Sequence, residues 1–222
     1  PDQPYRLLLL VQNHSGYLNL CQLLSKASLE NQSRGRAEIN PQWFIEPASK
    51  AEDKAAKRTL AYGLIALSGG RWGEVGTALL AGQEDQAQGA AKQWAALFPN
   101  AFFIEVQRGG HPQDEKHLQL ACHLASKLEL PIVATHPVQF MQRSDFTAHE
   151  ARVCIAEGEL LGNPHRIKKF NEEQYFLSQA EMEKRFADLP VALANSVEIA
   201  KRCNLSLTLG QPRLPDFPTP PG

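Results

Sequence analysis

The sequence lacks the features of several protein classes, and each absence narrows what the chain can be. Its longest apolar run near the start is residues 7–11, well short of the roughly 20 residues that cross a bilayer. Its four cysteines form no C-x-x-C pair, so we interpret them as small buried side chains in a reducing compartment. A formal net charge of −1 provides no global positive field for nucleic acid. A membrane span is therefore excluded, and any contact with nucleic acid has to be local.

Short apolar segments alternate with helical patterns along the chain. Strands are predicted over residues 5–12, 63–68, 101–107 and 130–135, and the first is expected to be buried on both faces in a parallel sheet. The clearest helix is predicted over residues 113–129, where one stripe comprises Leu118, Ala121, Cys122, Ala125 and Leu128. This alternation predicts right-handed crossovers and an α/β fold with a parallel sheet or barrel.

Further helices are predicted from caps and from apolar spacing. They cover residues 72–80, 85–98, 144–157 and 189–203, the last opened by Pro190, and another follows the first strand with Ser15 as its cap. Residues 29–39 and 47–58 have little apolar periodicity and are interpreted as surface segments. From residue 209 onward five prolines prevent a helix or a ladder, which indicates a linker over residues 209–222.

The strongest candidate for chemistry is Glu105, a carboxylate within an apolar strand and followed by Gln107. His136 stands at the equivalent end of the next predicted strand. The carboxyl ends of parallel strands are where α/β proteins place ligands and bases, so these residues are candidates for the rim of a site. A structural pair of Glu105 with an arginine of a neighbouring strand is an equally good interpretation.

The other histidines and the basic residues give weaker indications. His117 and His123 are six residues apart on one predicted helix and do not share a face, so we expect both to be solvated. His149 precedes a glutamate but has no second histidine in register, which favours a structural imidazole. The glycine-rich residues 68–73 lie where backbone amides can cradle phosphate but match no phosphate-binding motif, and the basic residues Arg166, Lys168 and Lys169 are typical of a solvated loop.

Six collinear segments resemble the polymerase and histidinol phosphatase (PHP) domain of bacterial replicative DNA polymerases, the DNA polymerase III α subunits. They are residues 10–20 (LVQNHSGYLNL), 63–76 (GLIALSGGRWGEVG), 98–108 (FPNAFFIEVQR), 130–140 (LPIVATHPVQF), 145–155 (DFTAHEARVCI) and 175–218. The resemblance implies an α/β fold that is part of a distorted parallel β/α barrel of PHP type, with its N-terminal strands missing. We accordingly expect a partial PHP domain over residues 1–208.

The resemblance also implies where metal-binding members of the family place their ligands. At those places this chain has Arg6 for His, Gly70 for Cys, Gly109 for His, Pro137 for Asp and Gln139 for His, while His136 replaces Asn. Only Glu105 remains as a plausible ligand, and a zinc or manganese site needs at least three donors. We expect no metal and no catalytic residue here, a residual pocket of Glu105, Gln107 and His136, and an arginine such as Arg6 satisfying Glu105.

The resemblance implies a fragment of a cytoplasmic DNA-directed DNA polymerase, a nucleotidyltransferase of DNA replication whose palm, with its Mg²⁺, lies outside the fragment. This part is expected to be a non-catalytic structural domain that supports the polymerase core and the proofreading exonuclease subunit. Other expected partners are the rest of the holoenzyme and primed DNA, through the parent chain. Two alternatives stay open: a metal-dependent phosphoesterase or 3′–5′ nuclease, and a DNA-binding module. The predicted loss of strands also implies an unpaired sheet edge at residues 5–12 or at a neighbouring strand.

Overall fold

The computed structural model describes residues 4–33, 35–48 and 59–211. These residues form seven α-helices and six strands. The strands are β1 (Leu8–Val11), β2 (Gln32–Ser33), β3 (Arg36–Ala37), β4 (Leu64–Leu67), β5 (Phe102–Gln107) and β6 (Ile132–Thr135). The helices are α1 (His14–Glu30), α2 (Glu74–Leu80), α3 (Glu84–Leu97), α4 (Asp114–Leu128), α5 (Phe146–Glu157), α6 (Gln179–Arg185) and α7 (Pro190–Arg202). The α/β class and the order of the main elements are confirmed.

The central sheet has the strand order β1-β4-β5-β6. Strands β4, β5 and β6 are parallel, with Ile104 opposite Ile132 in the register of the last pair. The prediction that the first strand also runs parallel is wrong, because β1 is antiparallel to β4 and no residue of β1 is fully buried. A run of leucines carries no information about strand direction, and α/β sheets often carry an antiparallel strand at one edge. The predicted unpaired edge is confirmed at β1 within the described residues.

The core lies between the sheet and the helices that connect its strands. Strand β4 is buried along its whole length, and Ile104, Val106 and Val133 are at most 1% exposed. The predicted stripe of α4 is confirmed at Leu118, Ala121 and Ala125, which are buried. The opposite edge of the sheet is covered by α7, where the Asn195 amide donates a 2.7 Å hydrogen bond to the carbonyl of Ile132. Helix packing therefore protects one edge of the sheet, while β1 forms the other edge.

The helix ends show which local signals were interpreted correctly. Helix α1 is capped by Asn13, whose Oδ1 accepts a 3.0 Å hydrogen bond from the Gly16 N–H, so the predicted cap at Ser15 is wrong by two residues. Pro190 occupies the first turn of α7 as predicted. Helix α6 was not predicted, although Ser178 and Glu181 form a capping box that the S-x-x-E spacing contains. No helix within the described ranges combines the length and apolar character needed to cross a bilayer.

Two of the predicted segments lie partly outside the described residues. Residues 49–58 of the segment 47–58 and residues 212–222 of the predicted linker are not described. The described residues 203–211 contain no helix or strand. Residues 29–39, predicted to lie at the surface, include the end of α1 and the small exposed hairpin of β2 and β3, which the polar sequence did not reveal.

Removing the Phe98 ring is expected to cost much of the stability of the fold. Its ring centroid lies 5.1 Å from that of Phe44 and 6.3 Å from that of Trp94, and the residue is 2% exposed. We expect Phe98→Ala to lower the free energy of unfolding by about 3–5 kcal/mol, measured by urea denaturation. Phe176→Ala, at a position that is 60% exposed, is the control and should change it by only about 0.5 kcal/mol. Equal losses in the two variants would contradict the assignment of Phe98 to the core.

Candidate functional site

A hollow of about 1160 Å³ opens where the parallel strands end. We call it the strand-end hollow. Five of the positions selected as former metal-site or residual-pocket residues line it: Arg6, Glu105, Gln107, Pro137 and Gln139. The parallel register brings them together, because Gln107 at the end of β5 lies opposite Thr135 at the end of β6. A cavity therefore lies at the carboxyl ends of the strands, and its role as a functional site stays a prediction.

Glu105 is buried among neutral hydrogen-bond donors. Its Oε1 accepts hydrogen bonds from the Thr135 hydroxyl at 2.5 Å and from the Gln107 amide at 3.0 Å, and the backbone N–H of Gly69 also faces the carboxylate. The residue is 4% exposed, and this burial raises the pKa of Glu105 above its ordinary value, although the three donors oppose the shift. No cation is among these partners.

The expectation that Arg6 satisfies Glu105 is wrong. The Arg6 guanidinium carbon lies 5.4 Å from the centroid of the Trp72 ring, and Arg6 makes no ion pair with any described residue. Glu105 already receives hydrogen bonds from the neighbouring strand and from its own strand. The register that places Thr135 beside it could not be inferred from the pattern of a single strand.

The ion pair expected in this pocket is instead made by two residues that sequence analysis did not select. Arg71 Nη1 donates to Asp114 Oδ1 at 2.8 Å, and the other oxygen of Asp114 accepts from the backbone N–H groups of Gly109 at 2.7 Å and His111 at 3.0 Å. Both side chains are largely buried, which lowers the pKa of Arg71 despite the nearby carboxylate. Asp114 thus ties the loop after β4 to the loop after β5.

The glycine and proline positions selected from the sequence lie beside this pair. A Cβ on Gly109 would come within 2.5 Å of the Pro137 ring, and a Cβ on Gly70 would lie 3.5 Å from Gln107 Oε1. Gly70 has a φ of +55°, a conformation that favours glycine. The positions therefore converge as one site would require, although none of the three supplies a side-chain donor.

His136 does not join Glu105. It is half-buried and does not line the hollow, and neither ring nitrogen has a partner in normal hydrogen-bond geometry, although the backbone of Glu173 and Tyr175 lies nearby. Burial, with a contribution from Arg185, lowers the pKa of the imidazole. The predicted shared rim of His136 and Glu105 is not formed.

His117 is the second histidine that was interpreted incorrectly. It was expected to be solvated, but it is 3% exposed and faces Gly76, where an added Cβ would lie 2.8 Å from its Nε2. Burial lowers the pKa of His117 to about 4. The buried face of α4 is wider than one stripe because the helix packs on both β5 and α2. His123 is exposed as predicted.

The donor set of the hollow does not fit a metal ion. Within residues 4–33, 35–48 and 59–211, no three His, Cys, Asp or Glu side chains lie close enough together to hold one. Glu105 is isolated from other acidic ligands, and the oxygens of Asp114 are taken by Arg71 and by backbone N–H groups. Since a zinc or manganese site needs at least three convergent donors, no chemical step can be derived through a metal here.

Two of the three residues in the basic cluster, which we interpreted as a solvated loop, form ion pairs with acidic side chains. Arg166 is buried and pairs with Glu150, whose side chain is equally buried, while Lys169 pairs with Glu157 at 2.6 Å. The interpretation of Arg166 as solvated is therefore wrong, because the loop folds over α5. Lys168 alone of the three forms no ion pair with a described residue.

Comparison with known proteins agrees with this architecture. The family model of the PHP domain matches residues 1–109. The match includes Arg6, Gly70, Glu105, Gln107 and Gly109, while the positions contributed by β6 and the chain after it lie beyond the matched range. The resemblance stated from the sequence is confirmed.

Three relatives are DNA polymerase III α subunits. The chain is 48% identical to that of Neisseria meningitidis serogroup A over 224 residues, which cover 100% of this chain and 18% of the relative. It is 46% identical to that of Pseudomonas aeruginosa, over 98% of this chain and 17% of the relative. It is 42% identical to that of Escherichia coli K12, over 98% of this chain and 18% of the relative. The chain thus spans about 18% of the length of the curated relatives it matches.

We expect Asp114 to be the most sensitive polar residue at this edge of the sheet. Asp114→Ala leaves the buried Arg71 without a counterion and two backbone N–H groups without an acceptor. We expect a loss of about 3 kcal/mol in the free energy of unfolding, measured by urea denaturation. Asp114→Asn keeps an acceptor for the backbone and should lose less. A loss in Asp114→Asn as large as in Asp114→Ala would show that the charge, rather than the backbone contacts, is decisive.

Glu105 is expected to destabilise the domain once it is ionised. Because folding raises its pKa from the ordinary 4.5, the folded state binds its proton more tightly, and stability falls as the pH rises from about 4.5 through the raised pKa. Glu105→Gln should lack this fall, so the free energy of unfolding of this variant should increase relative to that of the wild type above pH 4.5. Unfolding measured across pH 4–8 tests this. Glu84→Gln is the control of opposite sign, since Lys127 lowers the pKa of Glu84.

Proposed function

We propose that this chain is part of a DNA polymerase III α subunit, a DNA-directed DNA polymerase of bacterial replication, and that this part is a non-catalytic structural PHP domain. The observation that carries the proposal is the donor set around Glu105, which consists of Thr135, Gln107 and a backbone N–H. Nucleotide transfer would take place in a palm outside this chain, with Mg²⁺ bound there. No metal and no catalytic residue are assigned to this part.

The contacts made around the former metal-site positions support a structural role. Where a metal-binding relative would use ions to hold its loops, Arg71 and Asp114 join the loops here by an ion pair and by two backbone hydrogen bonds. The Asn171 amide donates a further 3.0 Å hydrogen bond to the Gly109 carbonyl. Such a set of contacts fixes the strand ends without an ion, which a support for a polymerase core requires.

The proposed domain extends over residues 1–208, with a Pro-rich linker over residues 209–222 toward the polymerase core. We also propose that the sheet continues past β1 as part of a distorted PHP-type barrel. The Gln12 N–H donates a hydrogen bond to the Gly63 carbonyl. Because hydrogen-bonded and non-hydrogen-bonded residue pairs alternate along an antiparallel pair of strands, the main-chain groups of Leu9 and Val11 are directed away from β4. These groups are free to pair with a further N-terminal strand of the longer protein.

The proposed partners are the proofreading exonuclease subunit and the rest of the polymerase III holoenzyme, in the bacterial cytoplasm. Primed DNA is proposed to bind through the parent chain rather than through this domain. The alternative of an independent DNA-binding module is weakened by the pairing of Arg166 and Lys169 with acidic residues. The alternative of a metal-dependent phosphoesterase or nuclease is weakened because no group of three metal-binding side chains forms around Glu105 in the part of the chain that the structure describes.

Glu105→Gln in the full-length polymerase should leave nucleotide incorporation and co-purification of the exonuclease subunit unchanged. Phe98→Ala in the same protein should reduce both, because it weakens the fold that supports them. Primer extension, co-purification and metal analysis of the three proteins test the proposal. The proposal would be contradicted if the wild type contained near-stoichiometric zinc, manganese or iron that EDTA removes, and if Glu105→Gln lost both this metal and a phosphoesterase activity.

A further inference from the structure

Residues 203–209 have the sequence pattern of a β-strand, although they form no strand in the described structure. We call them the alternating segment. Apolar and polar side chains alternate along it without exception, in the order Cys203, Asn204, Leu205, Ser206, Leu207, Thr208 and Leu209. Strict alternation over about four to eight residues is typical of a strand with one buried face. Gly210, with a φ of +76°, follows the last leucine and would end such a strand.

The alternating segment is held at its beginning. The Asn204 side-chain amide donates a 2.6 Å hydrogen bond to the Lys201 carbonyl at the end of α7, and the Asn204 N–H donates a 3.0 Å hydrogen bond to the Gln12 carbonyl. Beyond this point, no hydrogen bond joins residues 205–209 to a residue that the structure describes. The segment therefore starts from a defined place, and its main chain is free to pair.

The apolar side chains of the alternating segment become more exposed along the chain. Cys203 is partly buried and packs against the core, whereas Leu207 is 49% exposed and Leu209 is 83% exposed. The segment contains no charged residue and no proline, the features that usually keep an exposed strand from pairing with other strands. Because contact between leucine side chains and water is unfavourable, covering this face stabilises the segment.

The central sheet offers no open edge for the alternating segment among the described residues. Helix α7 covers the β6 edge, and the β1 edge is the one that we propose to pair with a further N-terminal strand. Gln12 follows Val11, the last residue of β1 paired with β4, so Asn204 meets the chain past the end of this ladder. The partner strand therefore has to come from outside the described residues.

We propose that the alternating segment forms a β-strand that adds to the edge of a sheet in the polymerase core of the longer protein. This inference rests on the proposed function, because it takes residues 209–222 as a linker toward that core. In strand addition, main-chain hydrogen bonds provide affinity and the side chains of one face provide specificity. Here that face comprises Leu205, Leu207 and Leu209. The added strand would join the two parts of the polymerase directly.

A sheet edge in the same protein is favoured over a second copy of the chain. Two parts that are joined by a short linker meet at an effective concentration on the order of millimolar, whereas a second copy has to be recruited from solution. The whole of this chain matches only 18% of the length of a relative, which leaves most of such a protein to provide the edge. The uncharged segment can thus be covered without dimerisation.

Hydrogen exchange of the full-length polymerase, followed by mass spectrometry, tests the proposal. We expect the amides of residues 205–209 to exchange at least about tenfold more slowly than in a synthetic peptide of residues 203–211. Leu207→Asn should remove this protection, because it places a polar side chain on the apolar face. Thr208→Asn introduces the same side chain on the opposite face and should exchange like the wild type. Both positions are exposed in the described structure, so both variants should fold.

The proposal is overturned if residues 205–209 of the full-length protein exchange as fast as the peptide, or if both variants change the exchange equally. Protection that is lost on dilution, which indicates a second copy, or that appears only when the exonuclease subunit is added, also overturns it. Primer extension by the same preparation keeps the two hypotheses apart. A protein that extends primers but leaves the segment unprotected contradicts only this inference, whereas one that extends no primer contradicts the proposed function.

Discussion

The parallel register of β4, β5 and β6 is the constraint on which the strand-end hollow depends. It places Gln107 opposite Thr135 and brings the loops after all three strands to one edge of the sheet. Side chains alternate between the two faces of a strand, so a slip of one residue would turn Glu105 away from Thr135. The apolar residues on both faces of β4 and β5 prevent such a slip, because it would expose part of the core. Core packing thereby fixes the polar geometry.

The polar groups at this edge are satisfied by one another rather than by an ion. Glu105 has neutral donors, and Asp114 binds a guanidinium and two backbone N–H groups. Burial raises the pKa of Glu105 despite its neutral donors, whereas Asp114 faces the guanidinium of Arg71. The two acidic residues therefore have different electrostatic surroundings although they lie at the same edge of the sheet.

Much of the architecture could be predicted from the sequence, because continuous apolar runs and helical stripes report burial directly. The convergence of Gly70, Gly109 and Pro137 was also accessible, since strand ends meet at one edge. The direction of β1 and the partner of Arg6 were not, because both depend on pairing between distant segments. Asp114 was missed for the same reason: its role depends on a loop that is 43 residues away in the sequence. His117 was missed because one stripe underestimates a helix that packs on two neighbours.

The open hollow at the strand ends bears on what this part of the chain does. Apolar side chains can often replace buried polar pairs without loss of stability, so support alone does not require a cavity of about 1160 Å³ with an unpaired arginine at its mouth. Filling the cavity would add buried apolar area and increase stability. Arg6 and Trp72 instead keep charge and aromatic surface accessible to solvent. The strand proposed to continue the sheet past β1 would border this surface, because residues 5–9 line the hollow.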